Sequence, residues 1–272
     1  MTTKIHPSAI IHETAKIAQN VEIGAYTVIG ENTVIEEGCK IAQSANIQFA
    51  HIGKNTRISP FASIGGDPQD LGYKNEKTGV IIGENCWIRE FSTINRASGE
   101  GNNTIIGNNC LLMAYTHVAH NCVLKDNVIM ANAATLGGHC HVGFGVFLGG
   151  QSVFHQNLRI GDMAIVSGAS AARLDIIPYC KAEGIPAVPK GLNAIGLKRK
   201  GVDKDSRDAI HKAIRLLTSD KYNTTQAIAE IEKEFKGNEY VDKLVDFVKT
   251  SKRGCTLRNK INFFGDSNDS EE

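Results

Sequence analysis

Residues 17–47 read IAQNVE IGAYTV IGENTV IEEGCK IAQSAN I, so that an isoleucine opens every group of six. The same spacing begins at Ile5 and, after a one-residue slip near His51, continues through mostly aliphatic residues to Val166. A period of six matches neither an amphipathic helix nor an alternating strand, and it is typical of hexapeptide β-helices, in which short strands wind into a prism. The sequence therefore predicts a mainly β fold, a parallel β-helix over residues 1–177.

Two interruptions leave this lattice in phase. The step from Ile64 to Ile82 is 18 residues and the step from Ile94 to Ile106 is 12, and both are multiples of six. Loops extruded from a regular solenoid have this property, and the longer loop is predicted over 65–81. If three hexapeptides form one coil, residues 18 apart stack on successive coils about 4.8 Å apart.

Small residues occupy particular slots of the repeat. The second slot often holds glycine, as at Gly24 and Gly30, which predicts a tight corner with unusual backbone angles. The fifth slot should point inward, and it holds five of the seven cysteines: Cys39, Cys86, Cys110, Cys122 and Cys140. We interpret these as buried thiols. A Cys122–Cys140 disulfide between coils is the alternative, and a reducing cytosol disfavours it.

The C-terminal part of the chain has a different pattern. The hexapeptide repeat ends at Val166, and prolines then predict an irregular connection over 178–201. Apolar residues at helical spacing predict three short helices over about 203–251, inside a helical domain of residues 202–254. The polar tail, 255–272, is predicted to be disordered.

The composition excludes several classes of protein. The chain has 272 residues and 29.4 kDa, with 30 Lys and Arg against 29 Asp and Glu, so its net charge is +1. This balance gives no overall field that would attract nucleic acid or an anionic membrane. No run approaches the roughly 18 apolar residues of a membrane span, and Met1 to Ile10 does not read as a signal peptide. We expect a cytoplasmic protein.

Five of the nine histidines lie in the second half of the repeat. His120, His139 and His155 belong to hexapeptides that begin 18 residues apart, so they should share one face on successive coils. His117 should sit at the corner that enters this face. The loop over 65–81 should leave the same face three coils below His120. A row of imidazoles beneath a polar loop predicts a cleft.

Three interpretations of this row remain open. Solvated surface histidines are the plainest, but four on one face make it less favoured. Zinc binding is the second, although the pair His117-x-x-His120 lacks an acidic partner on the same rung. Acid–base catalysis is the third and favoured interpretation, because histidine titrates near neutral pH. We expect no metal and no cofactor.

A series of motifs in fixed order resembles the UDP-N-acetylglucosamine 3-O-acyltransferase family, the acyl-carrier-protein-dependent enzymes that begin lipid A synthesis. The motifs are FASIG (61–65), PQDL (68–71), NCLLM (109–113), HVAHN (117–121), AATLGGH (133–139), VFHQ (153–156) and GLKRKG (196–201). The resemblance runs from Ile5 to the last helix. It implies a left-handed β-helix with three hexapeptides per coil, and a homotrimer whose sites lie between subunits.

The resemblance also implies roles for single residues. His120 matches the general base that takes the proton from the glucosamine 3-hydroxyl, and the N–H of Gly138 matches the oxyanion donor. The positions that match contacts to the sugar, phosphate or nucleotide are Asp70, His117, His139, His155, Gln156, Asn193, Arg199 and Lys200. Gly168 and Pro186 match positions at the acyl end. Glycine at 168 leaves room for a long 3-hydroxyacyl chain rather than a ten-carbon one.

The chain departs from the family pattern at two telling positions. Many members have lysine where this chain has Gly72, and Lys74 could substitute only with a different reach. Asn121 stands where some members have aspartate, and it would stabilise an imidazolium less than a carboxylate does. These departures leave open a relative that N-acylates a 3-amino sugar nucleotide. A metalloenzyme of the γ-carbonic-anhydrase type is a more remote alternative.

The acyl donor implied by the resemblance is an acidic acyl carrier protein, which needs a basic landing site. The candidate residues are Lys198, Arg199, Lys200, Arg207, Lys212 and Arg215.

Overall fold

The computed structural model describes residues 2–258, and its β-strands are mostly two residues long. In chain order they are β1 (Lys4–Ile5), β2 (Ile10–Ile11), β3 (Lys16–Ile17), β4 (Glu22–Ile23), β5 (Val28–Ile29), β6 (Val34–Ile35), β7 (Lys40–Ile41), β8 (Asn46–Ile47), β9 (Ala50–Ile52), β10 (Arg57–Ile58), β11 (Ser63–Gly66), β12 (Gly79–Ile82), β13 (Trp87–Ile88), β14 (Thr93–Asn95), β15 (Asn103–Ile106), β16 (Leu111–Leu112), β17 (His117–Val118), β18 (Val123–Leu124), β19 (Ile129–Met130), β20 (Thr135–Leu136), β21 (His141–Val142), β22 (Phe147–Leu148), β23 (Val153–Phe154), β24 (Arg159–Ile160), β25 (Ile165–Val166), β26 (Ala171–Ala172), β27 (Cys180–Glu183) and β28 (Val188–Leu192).

As far as β26, every third strand joins the same sheet. The solenoid is therefore a three-sided prism with one sheet of parallel strands on each face. Sheet A has the order β1-β4-β7-β10-β13-β16-β19-β22-β25-β27-β28, sheet B has β2-β5-β8-β11-β14-β17-β20-β23-β26, and sheet C has β3-β6-β9-β12-β15-β18-β21-β24. The register pairs the first residues of stacked hexapeptides, as in Ile29 with Ile47 and Val118 with Leu136. The predicted stacking of hexapeptides in threes is therefore present in the structure.

The residue that opens each hexapeptide points into the prism. Ile29, Ile64 and Leu112 are at most 1% exposed, and they belong to one continuous hydrophobic core. Burial of one such side chain stabilises the fold by about 1.5–3 kcal/mol. The cysteines of the fifth slot, such as Cys39 and Cys110, are equally buried, as predicted. All seven cysteines are free thiols, including Cys122 and Cys140.

The corners differ from the sequence expectation in one respect. The residue with unusual backbone angles is the fourth of the hexapeptide, as in Asn32 with φ of 50° and Ser44 with φ of 57°. The Ser44 amide donates to the carbonyl of Ala25, one coil below, at 2.9 Å. Glycine is needed in the second slot because of crowding: a Cβ on Gly30 would lie 2.8 Å from the Cβ of Gln48. The expectation of left-handed angles at these glycines was therefore wrong.

Two loops leave the solenoid where sheet B passes into sheet C. The long loop, residues 67–78, joins β11 to β12, and the short loop, residues 96–102, joins β14 to β15. The long loop is shorter than the predicted 65–81 because its ends join the ladders. Backbone and side-chain hydrogen bonds tie the two loops together, for example from the Lys77 amide to the Glu100 carboxylate at 3.0 Å.

The long loop starts two coils below His120 and not three, because β11 pairs with β14 and β14 pairs with β17. Together the two loops insert as many residues as one coil contains. Counting residues therefore overestimates the number of coils by one, although it assigns the correct face.

The segment 178–201 is not the irregular connection that its prolines suggested. It contains β27, which extends sheet A in parallel with β25, and β28, which returns antiparallel to β27. The helix α1 (Ala194–Arg199) follows and is capped by Asn193. Proline is tolerated here because β28 is the last strand of the sheet.

Three further helices follow, at the positions that the periodicity predicted: α2 (Lys204–Thr218), α3 (Thr224–Phe235) and α4 (Glu239–Lys249). The apolar stripes are buried between them, with Ile214, Ile231 and Leu244 at most 2% exposed. Amphipathic helices of this length gain most of their stability from such packing. No helix among residues 2–258 has the length and hydropathy needed to cross a membrane.

The tail predicted to be disordered, 255–272, lies mostly outside the described residues. Its first four residues are placed, and Cys255 forms a β-bridge with Asp175. Residues 255 and 256 therefore pair with the end of the solenoid, and Arg258 donates to the carbonyls of Leu217 and Tyr222 in the helical domain, contrary to the expectation of disorder for this part of the tail.

Candidate active site

Four histidines gather on sheet B and at the corner where it meets sheet C. His120 and His139 are the third and fourth residues of hexapeptides in adjacent coils, and the His139 amide donates to the His120 carbonyl at 3.0 Å. Their rings are perpendicular, with centroids 5.1 Å apart. His117 lies inside β17 and not at a corner, and His155 directly follows β23. His120 is only 8% exposed, because His139 and the short loop pack against it.

The side chain of Asn121 fixes the orientation of the His120 ring. Asn121 Oδ1 lies 2.9 Å from His120 Nδ1 and accepts from the Ser98 amide at 2.9 Å and the Ser98 hydroxyl at 3.1 Å. Asn121 Nδ2 donates to the Ser98 carbonyl at 3.0 Å. Because a carbonyl only accepts, this last bond directs the Asn121 oxygen toward His120. His120 Nδ1 must then carry a proton, and Nε2 is left as the basic nitrogen.

That basic nitrogen faces Gly138. A Cβ built on Gly138 would lie 2.6 Å from His120 Nε2, so only glycine allows the ring and the backbone to approach this closely. Among the hydrogen bonds of residues 2–258, none uses the Gly138 amide as donor. The Gly138 backbone thus lies against the basic nitrogen, and its amide is a candidate oxyanion donor beside a candidate base.

Two of the surrounding imidazoles, those of His117 and His139, favour their neutral form. Burial, followed by the neighbouring His120, lowers the pKa of His117 and of His139. His117 Nδ1 lies 2.7 Å from the hydroxyl of Thr93, one coil below. His155 and Gln156 are exposed at the upper edge of the group. Neutral imidazoles can both donate and accept hydrogen bonds, which suits recognition of sugar hydroxyls.

The long loop brings a carboxylate to this group. A hydrogen bond from the Gly72 amide lowers the pKa of Asp70, and the neighbouring Ser98 side chain, His120 and His139 lower it further. The loop therefore presents an ionised carboxylate near the base. The Lys74 side chain is exposed, and its amide donates to the Glu76 carboxylate at 2.8 Å.

The residues to which the resemblance assigns nucleotide and phosphate contacts lie at a different corner of the chain. Asn193 is buried as the N-cap of α1, and its Nδ2 donates to the Met163 carbonyl at 2.8 Å. Arg199 and Lys200 are exposed at the end of the same helix, with Lys200 Nζ 5.0 Å from the ring centroid of Phe144. This corner joins sheets C and A, whereas His120 is at the corner of sheets B and C. One chain therefore does not bring the two groups together.

Metal binding finds no support in the geometry. Within residues 2–258, no three His, Cys, Asp or Glu side chains are arranged to hold a metal ion.

Models of known protein families match three parts of this chain. A family model described as UDP N-acetylglucosamine O-acyltransferase, domain 2, matches residues 175–256, and a bacterial transferase hexapeptide model matches 103–138. A model of the GMPPB C-terminal domain matches residues 5–98.

Curated relatives match over most of the chain. The acyl-[acyl-carrier-protein]–UDP-N-acetylglucosamine O-acyltransferase of Myxococcus xanthus is 39% identical over 206 residues, 75% of this chain and 80% of the relative. The corresponding enzyme of Nautilia profundicola is 43% identical over 211 residues, 77% of this chain and 81% of the relative. The chain belongs to the acyl-[acyl-carrier-protein]–UDP-N-acetylglucosamine O-acyltransferase family. It is an acyltransferase.

Solved structures of the family agree. The Bacteroides fragilis UDP-N-acetylglucosamine acyltransferase superposes with a TM-score of 0.89 at 37% identity, over 92% of this chain and 99% of that one. The Acinetobacter baumannii enzyme gives the same TM-score and identity, over 93% and 99%. These matches confirm the predicted fold class, a left-handed parallel β-helix followed by a small helical domain.

The two positions that match the acyl end in this acyltransferase family lie near the last coil. Gly168 is exposed between β25 and β26, and a Cβ there would meet only the Gly150 backbone within 4 Å. Pro186 is exposed in the turn between β27 and β28. A Cβ at position 168 would approach the Gly150 carbonyl oxygen tightly, at 3.1 Å, but the other space around it is open.

The candidate basic surface for a carrier protein lies on α1 and α2. Arg199, Lys200 and Arg215 are exposed. Lys212 is also exposed but pairs with Glu234 at 3.6 Å, and Arg207 donates to the Val202 carbonyl at 2.6 Å. The surface thus offers fewer free cations than the sequence suggested.

The sequence reasoning missed two residues that contact the site, Thr93 and Ser98. They sit in β14 and the short loop, beside rather than within the histidine motifs. Only the second break in the hexapeptide lattice pointed to this region, and it gave no reason to prefer any single side chain.

Proposed function

We propose that this protein transfers a 3-hydroxyacyl chain from acyl carrier protein to the glucosamine 3-hydroxyl of UDP-N-acetylglucosamine, the first step of lipid A biosynthesis in the cytoplasm. The observation that carries this proposal is the pairing of the His120 Nε2 with the Gly138 backbone, with Asn121 on the opposite side of the ring. The substrate classes are those in the names of the Myxococcus xanthus and Nautilia profundicola relatives.

His120 would act as the general base. Its Nε2 takes the proton from the 3-hydroxyl, and the oxygen attacks the carbonyl carbon of the thioester. The Gly138 N–H donates to the oxyanion that forms. When the intermediate collapses, the carbon–sulfur bond breaks, and His120 returns the proton to the departing thiolate. The balance is closed: one ester and one thiol form, and the histidine ends neutral.

Asp70 and the neutral imidazoles would hold the acceptor sugar. Because the pKa of Asp70 is lowered, its carboxylate is ionised at neutral pH. It can therefore accept hydrogen bonds from sugar hydroxyls. His117, His139, His155 and Gln156 surround the position where the sugar would lie, and Lys74 is a more distant candidate.

Asn193, Arg199 and Lys200 would complete the site from a neighbouring subunit. They lie at the other edge of sheet C from His120, so a shared site requires a second copy of the chain. A homotrimer with three such sites satisfies this requirement and adds a second wall that excludes water. The role proposed for Asn193 is narrower than the sequence suggested, because its side-chain atoms already cap α1 and bind Met163.

A mass-spectrometric transfer assay tests the proposal. The pure protein receives UDP-N-acetylglucosamine or its 3-amino analogue, with 3-hydroxyacyl carrier proteins of ten to sixteen carbons. We expect an ester on the ordinary sugar nucleotide, with a long chain preferred because Gly168 leaves the groove open. Absence of product with every acceptor and donor would refute the function.

The N-acylating alternative gives a different outcome in the same assay. An amide formed only on the 3-amino analogue would keep the fold and the base but change the acceptor. Asn121 and Gly72, where this chain departs from many family members, would then be the first residues to exchange.

A further inference from the structure

The long loop, residues 67–78, contains neither strand nor helix, yet it carries Asp70. The shape of such a loop depends on the contacts that hold it to the rest of the fold. Several of its contacts converge on one residue outside the loop. Arg96 is the first residue of the short loop and is only 9% exposed, although arginine is rarely buried to this extent.

Arg96 grips the long loop at two points. Its Nη2 lies 2.7 Å from Asp67 Oδ1, at the start of the loop. Its guanidinium carbon lies 5.4 Å from the ring centroid of Tyr73, on the far side of Asp70. Asp67 and Tyr73 therefore bracket the segment that presents the carboxylate.

The other contacts of Arg96 fix it to the solenoid. The guanidinium lies over the ring of Phe49, with its carbon 4.1 Å from the centroid, and the Arg96 amide donates to the Gly66 carbonyl at 2.9 Å. The neighbouring Asn95 adds a hydrogen bond from Nδ2 to the Asp67 carbonyl at 2.7 Å. Arg96 thus connects a rigid corner of the prism to both ends of the Asp67–Tyr73 segment.

The planar guanidinium is needed for this arrangement. It can pair with a carboxylate at one edge while its face packs on an aromatic ring, whereas a lysine ammonium offers a single point charge. The ion pair alone would hold little, because Asp67 is 65% exposed and water screens the interaction. The ring contacts are therefore the part that a lysine cannot replace.

We propose that Arg96 is a positioning residue for the acceptor: it holds the long loop so that Asp70 stands beside Ser98 and the His120–His139 pair. The inference rests on the proposed function, in which Asp70 binds the acceptor sugar. Among residues 2–258 the Arg96 side chain forms its hydrogen bond and ring contacts with Asp67, Phe49 and Tyr73 and not with a histidine, so its effect would pass through the loop.

Kinetics of the full-length protein test this role. Arg96→Lys should raise the KM for the acceptor about tenfold, as expected for loss of a cation–π contact and of geometry. The KM for the acyl carrier protein and kcat should change less than about twofold. Arg89→Lys is the matched control. Arg89 also pairs with a carboxylate, Glu90 at 2.9 Å, and stacks on an aromatic ring, Trp87 at 4.8 Å, but these contacts lie on sheet A.

A double-mutant cycle separates positioning from general damage. If Arg96 acts through Asp70, Arg96→Lys should have little further effect on the acceptor KM in an Asp70→Ala background. An equal tenfold rise in both backgrounds, or an unchanged KM in the single variant, would overturn the inference. Wild-type inactivity, or an unaltered acceptor KM in Asp70→Ala alone, would instead locate the failure in the proposed function.

A measurement without activity guards against a variant that folds poorly. Lys74 and Lys77 are exposed in the long loop, so trypsin can report how firmly it is held. Arg96→Lys and the milder Asp67→Asn should speed cleavage there about tenfold, with the melting temperature of the solenoid nearly unchanged. Cleavage at the wild-type rate in both variants would contradict the proposed anchoring.

Discussion

Sheet B contains two regions with the same lattice and different chemistry. In its first coils, β2, β5 and β8 carry the isoleucines that open their hexapeptides and contain no histidine. In its later coils, β17, β20 and β23 keep the same register but carry the histidine group. His12 and His155 even occupy the same slot, directly after the inward residue of a sheet B strand. The scaffold is therefore equal in both regions, and the difference comes from what surrounds it.

His12 shows what a histidine does in this lattice without such surroundings. Its Nδ1 lies 2.9 Å from the hydroxyl of Thr14 in its own turn, and the residue is half-buried. His120 instead has Asn121 on one nitrogen and Gly138 beside the other, under the short loop. Two loops inserted into the solenoid create this second environment. Position in the repeat is thus necessary for the site but does not create it.

The largest effect is expected from removal of the base. His120→Ala should lower kcat by about 10²–10⁴, the usual contribution of a general base. His12→Ala, in the same sheet, should leave kcat unchanged. Steady-state transfer rates for both variants check this, and equal rates would erase the distinction between the two regions.

A methyl group beside the base should be the next most damaging change. Gly138→Ala would force the His120 ring away, since the new Cβ would lie 2.6 Å from Nε2, and it should lower kcat about 10²-fold through lost base and oxyanion geometry. Gly30→Ala crowds Gln48 in the first coils and should lower the melting temperature but not the activity per folded molecule. If Gly138→Ala kept full activity, the close approach would have no catalytic meaning.

A smaller effect, on acyl-chain preference, is expected at the acyl end. Gly168→Met should shift the preferred 3-hydroxyacyl chain to a shorter one, by about tenfold or more in relative kcat/KM, because a side chain would fill the open space. Gln43→Met places methionine in the same slot of sheet A, several coils below. Competition between carrier proteins of ten to sixteen carbons measures both, and an unaltered preference in Gly168→Met would exclude this position as the ruler.

The smallest effect is expected on the long loop. A Cβ at Gly72 would lie 3.3 Å from Asp70 Oδ1, so Gly72→Lys should place an ammonium near the acceptor and lower its KM a few-fold. Leu71→Lys adds the same charge on a fully exposed side chain and should change KM less than twofold. Equal effects of the two substitutions would mean that the added positive charge alone lowers the KM. No effect of either would mean that the loop binds the acceptor without a lysine at position 72.

The sequence predicted the solenoid well because its lattice is local. Each hexapeptide repeats the same inward aliphatic residue, so the period alone identifies the core, as at Ile29 and Leu112. The number of coils between the long loop and His120 was wrong because looped-out residues cannot be told from wound ones by counting. The hairpin of β27 and β28 was missed because prolines suggested a break, although an outer strand tolerates them.

The sequence indicated which residues form the candidate site, but not the contacts that hold them in place. The motifs indicated His120 and Gly138, and the 18-residue spacing indicated a shared face. Nothing in the sequence placed Ser98 on Asn121 or Arg96 between Phe49 and Tyr73, because these contacts join residues more than 20 positions apart. They depend on where two irregular loops meet.

By itself the sequence determined the periodic part of this protein: the prism, its buried thiols, the face of the histidines and the helical end. These features follow from short-range patterns of burial that recur in every coil. Only the tertiary structure decided which nitrogen of His120 is basic, that Asn193 is a buried cap, and that Arg199 lies at another corner from the base. The physical reason is that hydrogen-bond direction and crowding depend on neighbours in space, and the repeat fixes only neighbours in the coil.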